Sequence, residues 1–214
     1  MPLFALDNTL KFPPVTEALE DGLLAIGGDI TPERLLIAYQ QGIFPWYDGD
    51  TPLWWSPDPR FVLFPQEIKI SKSMQQLFKK RAFKITMNKA FKEVMQQCGK
   101  INRAGQKGTW INENMIDAYT ILHKQGYAIS VECWQQHTLV GGLYGVKIGN
   151  VFCGESMFSR VSNASKYAFI HFVKTAEKKI SLIDCQVHTP HLESLGARMI
   201  SRHDFLNILH SSKT

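Results

Sequence analysis

The sequence contains no run approaching the roughly 18 consecutive apolar residues that a membrane helix needs. Its start, MPLFALDNTLKFPP, has no basic segment followed by a long apolar one. Both absences point to a soluble, cytoplasmic protein with no membrane partner. Cysteine is scarce: Cys98, Cys133, Cys153 and Cys185 are scattered, and no two form a CxxC pair. Such thiols fit a reducing compartment better than a disulfide framework. There is no Walker A loop and no dinucleotide-binding GxGxxG. His188-Thr189-Pro190-His191 lacks the spacing and further ligands of a zinc site. No internal repeat or low-complexity segment is present.

What is there is ordinary globular composition, 44% hydrophobic and 20% charged over 214 residues. That is long enough for a real core, in one domain with a smaller companion. Lys and Arg total 24 against 19 Asp and Glu, a formal charge of +5. This modest excess is compatible with an acidic or nucleic-acid partner and does not demand one.

Residues 1–62 are rich in Pro, Gly and Trp and read as a small N-terminal domain. They hold one convincing helix, with Thr31 as cap, Pro32 at the first helical position, Leu35, Leu36 and Tyr39 as its apolar stripe, and Gly42 as its stop. Residues 63–214 form a second unit of alternating helices and strands. The spacing predicts helices over 71–81, 88–98 and 112–125, capped by Ser71, Asn88 and Asn112, with a strand over 83–87. Three strands follow, 128–134, 138–147 and 150–154, as an antiparallel meander. A helix over 162–178, a strand over 181–186 and two short closing helices complete a mixed α/β (α+β) pattern.

Two segments carry candidate chemistry. Gly154-Glu155-Ser156-Met157-Phe158-Ser159-Arg160 puts a carboxylate among apolar side chains at a turn, and Asp184-Cys185-Gln186 puts a carboxylate and an amide two positions apart in an apolar run. In a strand, i and i+2 share a face, so Asp184 and Gln186 stand together with Cys185 turned away. One reading is a strand end meeting solvent; the other is an orienting pair, because an amide is no base at neutral pH and can only position. Glu155 reads either as a loop carboxylate paired with Arg160 or as an anchor for a cationic substrate. Phe152, Met157, Phe158, Phe169 and Phe172 are either plain core or the lining of an apolar pocket. Trp46, Trp54, Trp55 and Trp110 lie in turn-rich contexts. They either plug a domain interface or stack nucleobases, worth about 1–3 kcal/mol each. Lys79, Lys80, Arg81 and Lys84 are either a solvated helix end, suited to its dipole, or a track for phosphates. Strand alternation turns Cys185 from the Asp184 face, which counts against a cysteine nucleophile with His188 as base.

Taken in order, FPPVTEALEDGLLAIGGDI, GIFPWY, WWSPDPR, GTWI, GGLYGV, FCGESMFSR and LIDCQ resemble the bacterial leucyl/phenylalanyl-tRNA–protein transferases along nearly the whole chain. The resemblance implies transfer of Leu or Phe, less readily Met, from aminoacyl-tRNA to proteins with an N-terminal Arg or Lys, creating an N-degron for degradation. It implies an acetyltransferase-like (GNAT) second domain that uses no acetyl-CoA, and no metal or cofactor. By motif position, Glu155 and Asp184 match the family's site carboxylates and Gln186 its site amide. Trp46 and Trp110 match the aromatics that hold the terminal adenosine of tRNA. Phe152, Met157 and Phe172 fall in the segments that line the aminoacyl pocket. Ala176 and Glu177 depart from the pattern, standing where bulkier apolar residues are expected.

An aminoacyl ester is already activated, so the amide forms without ATP. The attacking α-amine has an ordinary pKa of about 7.7–8.0. The chemistry therefore asks for alignment and disposal of one proton more than for a strong base. The expectation is that Asp184 and Gln186 hold the amine while the terminal ribose hydroxyls assist the proton. Two other classes compete: a CoA-dependent acetyltransferase, for which the chain lacks the [RQ]xxGx[GA] loop, and an RNA-binding module, against which the paired carboxylates count. Nothing points to more than a monomer.

Overall fold

The structure, a computed structural model, describes residues 3–101 and 111–211. Its helix boundaries follow from caps written in the sequence. Thr31 accepts a hydrogen bond from the Arg34 N–H, and α1 runs Pro32–Gln40. Ser71 caps α2, Lys72–Lys79, through the Met74 N–H. Asn112 caps α4, Glu113–Lys124, through the Met115 N–H. The intervening helix α3, Phe91–Gly99, starts three residues later than its sequence suggests. Asn88 does not cap it: Asn88 has φ +58° and accepts from the Ser130 N–H. The carboxylate of Glu132, reaching over from a strand, takes the Lys89 and Ala90 N–H groups instead. The remaining helices are α5, Ala164–Ala176, α6, Pro190–Glu193, and α7, Arg202–Ser211.

The first unit is more than turns. β1 (Phe4–Leu6), β2 (Leu23–Gly27), β3 (Phe44–Pro45) and β4 (Leu53–Trp55) form a sheet in the order β1-β2-β4-β3. Strands of two to five residues are too short to show a period in sequence. Buried Arg34 ties the entering chain down, donating to the carbonyls of Asp7 and Thr9 and pairing with Asp29.

The second sheet has seven strands: β5 (Arg60–Leu63), β6 (Lys84–Met87), β7 (Ala128–Gln135), β8 (Thr138–Ile148), β9 (Val151–Ser159), β10 (Leu182–Gln186) and β11 (Arg198–Ile200), in the order β11-β5-β10-β9-β8-β7-β6. Residue 62 thus lies inside a strand of this sheet. The meander β6–β9 is antiparallel. β9 and β10 pair in parallel, which requires a crossover, and α5 supplies it.

Side chains alternate between two apolar cores, one on each face. Val151, Cys153, Val62 and Leu182 enter the core shared with α1, α3, α4 and α7. Phe152, Phe61 and Ile183 enter the core beneath α5. The first core is continuous with the small sheet. At Gly42, which ends α1 with φ +76°, an added Cβ would stand 2.7 Å from Leu206 of α7, so the close approach of the units needs glycine there.

Candidate functional site

Parallel pairing of β9 with β10 stops at Cys153 opposite Asp184. Beyond that point each strand carries a bulge. On β9 the partners of β8 jump from Gly154 to Ser156, so Glu155 is the extra residue. On β10 the partners of β5 jump from Asp184 to Gln186, and Gln186 takes φ +66°. A bulge swaps the faces of everything after it. Met157 therefore falls to the α5 side and Phe158 to the α3 side. Gly145 faces the first bulge, where an added Cβ would collide with the Cys153 carbonyl.

The separated strand ends open a cavity of about 500 Å³. One side is apolar: Leu143, Phe152, Met157, Phe169, Ile183 and Leu192. The other holds Glu155, Asp184 and Gln186, with Phe44, Pro45 and Trp46 from the small sheet and Val187–Thr189 and His191 beside them. Glu155 thus lies in a strand, not a loop, and Arg160 bonds to Gln97 rather than to it.

Asp184 and Gln186 adjoin, though not as two side chains of a regular strand. Asp184 is fully buried, and Arg60, 1% exposed, holds both its oxygens at 2.8 and 2.7 Å. Its Oδ1 also accepts from the Gln186 main-chain N–H at 2.9 Å. The Arg60 guanidinium sits 4.6 Å from the rings of both Phe44 and Phe205. The Gln186 side chain turns the other way and donates to Glu155 Oε1 at 2.7 Å. Both Asp184 oxygens therefore already accept hydrogen bonds from Arg60, and one of them from the main chain as well.

Glu155 Oε2 accepts from the Tyr119 hydroxyl at 3.3 Å, and the Tyr119 and Tyr39 hydroxyls are 2.5 Å apart. Burial raises the Glu155 pKa to about 7, with the Asp184 charge adding and hydrogen bonds from Tyr39, Gln186 and Tyr119 opposing. A carboxyl titrating near neutrality can take a proton from an amine and release it to water. Burial pushes the Cys185 thiol well above its usual range, so no thiolate is at hand. His188 pairs with Glu193, and among the described residues no three His, Cys, Asp or Glu side chains stand together as a metal ion would need.

Of the other predicted residues, Trp46 is at the cavity rim, 37% exposed, with its carbonyl held by the Trp55 indole N–H. Trp54, by contrast, is buried and donates to the Gly27 carbonyl. Trp110 lies outside the described residues. Phe152 and Met157 line the cavity; Phe172 does not. It is buried behind Phe152, ring centroids 4.5 Å apart, and so supports the wall. Ala176 and exposed Glu177 sit at the end of α5, off the lining, so the departure there leaves the wall untouched. Lys79, Lys80, Arg81 and Lys84 are all exposed, on the end of α2 and the start of the edge strand β6.

Sequence reading missed three residues at the site. Tyr39 was legible only as part of the α1 stripe, Tyr119 as one aromatic of α4, and Arg60 as the end of WWSPDPR. A buried arginine signals itself only once its carboxylate partner, distant in sequence, is known.

The family described as leucyl/phenylalanyl-tRNA protein transferase matches residues 62–210, and its N-terminal domain matches 28–58. The chain is 58% identical over 211 residues to the leucyl/phenylalanyl-tRNA–protein transferase of Flavobacterium johnsoniae, covering 98% of this chain and 100% of that one. It is 54% identical to the protein of the same name from Syntrophus aciditrophicus, covering 99% and 90%. Among solved structures it is similar to a GCN5-related N-acetyltransferase-like protein from Streptococcus suis, with TM-score 0.40, 10% identity, and coverage of 75% and 60%. On the family matches and the full-length relatives, this chain belongs to the leucyl/phenylalanyl-tRNA protein transferase family and is an aminoacyl-tRNA-dependent transferase.

Proposed function

We propose that the cavity between β9 and β10 receives the aminoacyl end of Leu-tRNA or Phe-tRNA, with Met-tRNA a poorer donor. The acceptor is the α-amine of a protein beginning with Arg or Lys. The observation that carries this is the division of one cavity into an apolar wall and a wall bearing Glu155 and Gln186, with Trp46 at its rim. The apolar wall suits a leucyl or phenylalanyl side chain. Trp46, with Trp110, offers a stacking face to the terminal adenine. Glu155 supplies negative charge toward a cationic acceptor.

The proton balance then closes on named groups. The acceptor arrives as an ammonium, loses a proton to Glu155, and attacks the ester carbonyl. The C–N bond forms, the C–O bond to ribose breaks, and the departing oxygen takes the second amine proton. One proton is released in all, and Glu155 returns it to solvent. Gln186 holds the Glu155 carboxylate and the incoming amine in line. Asp184 and Arg60 fix the bulge that presents Gln186, and so act through position. Lys79, Lys80, Arg81 and Lys84 form the basic surface for the tRNA backbone, and the product serves as an N-degron. The cavity needs residues of one chain only, so a monomer suffices. The family matches at 28–58 and 62–210 support reading residues 1–62 as a small unit and 63–214 as the transfer unit.

The test is mass spectrometry of a peptide beginning with Arg after incubation with Phe-tRNA or with acetyl-CoA. Addition of one phenylalanyl residue from Phe-tRNA alone is expected. Acetylation, or an unmodified peptide, would overturn the reading.

A further inference from the structure

We propose that Tyr39 and Tyr119 are positioning residues whose paired hydroxyls hold Glu155 in its cavity-facing orientation as the charged carboxylate. This rests on the aminoacyl-transfer reading and assigns it two further residues. The two tyrosines come from different parts of the chain, α1 of the small unit and α4 of the large one. Both are at most 1% exposed, and their rings meet edge to face at 6.4 Å. Packing alone would not place two hydroxyls 2.5 Å apart in an apolar core, where a polar group without a partner is costly. Their partner is Glu155, which accepts from Tyr119 on Oε2 while Gln186 holds Oε1.

The groups around Glu155 leave these hydroxyls a defined task. Asp184 and Gln186 approach from β10, Arg60 stands behind Asp184 on β5, and Tyr144 of β8 packs against Tyr119 at 5.7 Å. Cys153 precedes Glu155 by two residues on β9, its thiol held neutral chiefly by burial. Arg60 is committed to Asp184, and among the described residues no cation is bonded to Glu155 to keep it charged. Hydrogen bonds from hydroxyls favour the charged form of the acid they touch. The tyrosines remain donors because burial, and then the Glu155 charge, hold both phenols protonated. Without them, Glu155 stays protonated to higher pH and cannot accept the amine proton.

The test is the pH dependence of kcat/KM for wild type, Tyr39→Phe, Tyr119→Phe and the double variant. Each substitution removes one hydroxyl and keeps the ring. The acid limb should move to higher pH by about one unit in the single variants. In the double variant it should move at least as far, with activity recovered at alkaline pH. Acid limbs coinciding with wild type in every folded variant, or uniform loss at all pH values, would overturn the proposal. If wild type itself transfers nothing, the transfer reading fails and not merely this assignment. If Tyr119→Phe does not fold, Tyr39→Phe alone carries the same test, because its hydroxyl also lowers the Glu155 pKa.

Discussion

Gln186 donates its side-chain amide to Glu155 Oε1 at 2.7 Å across the gap where β9 and β10 separate. The two residues are 31 positions apart, and each sits at an irregularity of its strand. This contact joins the two halves of the site.

The acid limb of the wild-type pH profile should lie near neutrality. Glu155 must be a carboxylate to accept a proton, and its pKa is raised to about 7, so kcat/KM should climb with pH through that region. A limb near pH 4–5 would show that an unperturbed carboxylate governs the rate.

The same shift has a consequence for stability. An acid whose folded pKa lies above its unfolded value binds its proton more tightly when folded, so folding weakens as pH rises from the unfolded pKa through the folded one. Glu155→Gln should therefore stabilise the protein at pH 8, by roughly 1–3 kcal/mol, while impairing transfer. Denaturant titrations of both proteins at pH 5 and pH 8 measure it. Equal stability at both pH values would mean that Glu155 folds without strain.

Asp184→Asn should destabilise the fold by about 3–5 kcal/mol, because it leaves the Arg60 charge buried without its counter-ion. Loss of activity in that variant must therefore be read against its melting curve. Replacing Arg60 and Asp184 together by apolar residues should restore much of the stability and little of the activity. A fully stable Asp184→Asn protein would contradict the account of the pair.

Donor selectivity should depend on the wall that touches the cavity. Met157→Ala should lower the preference for Leu over Ile by about tenfold, the scale of one misfit methylene in an apolar pocket. Phe172→Ala should act differently, through a loss of about 3–5 kcal/mol in stability, since that ring backs Phe152 from within the core. Transfer assays with Leu-tRNA and Ile-tRNA, alongside melting curves, separate the two effects.

Neutralising Lys80 and Lys84 should weaken tRNA binding and reduce the slope of log K against log salt by about one per lost phosphate contact. Transfer at saturating tRNA should be unchanged. An unaltered slope would remove these exposed lysines from the interface.

Periodic features of this chain were legible in sequence. The meander β7–β9 announced itself by alternation, and Thr31, Ser71 and Asn112 named the starts of three helices. Glu155, Asp184 and Gln186 stood out as polar groups in apolar runs. Their arrangement was not legible, because a bulge is set by the register of the neighbouring strand and not by local spacing. Asn88 illustrates the same limit: its capping role passed to Glu132, which is 44 positions away in sequence and adjacent in space. Tyr39 fits an apolar helical stripe, which hides the use of its hydroxyl, and only the fold shows that it meets Tyr119 and, through it, Glu155.

The most direct test of the site is the acceptor dependence of transfer by Glu155→Gln and Gln186→Ala, measured with saturating Phe-tRNA alongside the affinity for Phe-tRNA itself. The geometry predicts that kcat/KM for an Arg-initiated peptide falls about a hundredfold or more in both variants, the scale of a lost proton acceptor or orienting group, while Phe-tRNA affinity is retained. Wild-type transfer in both, or a loss traced to Phe-tRNA affinity alone, would contradict the assignment of the acceptor amine to this pair.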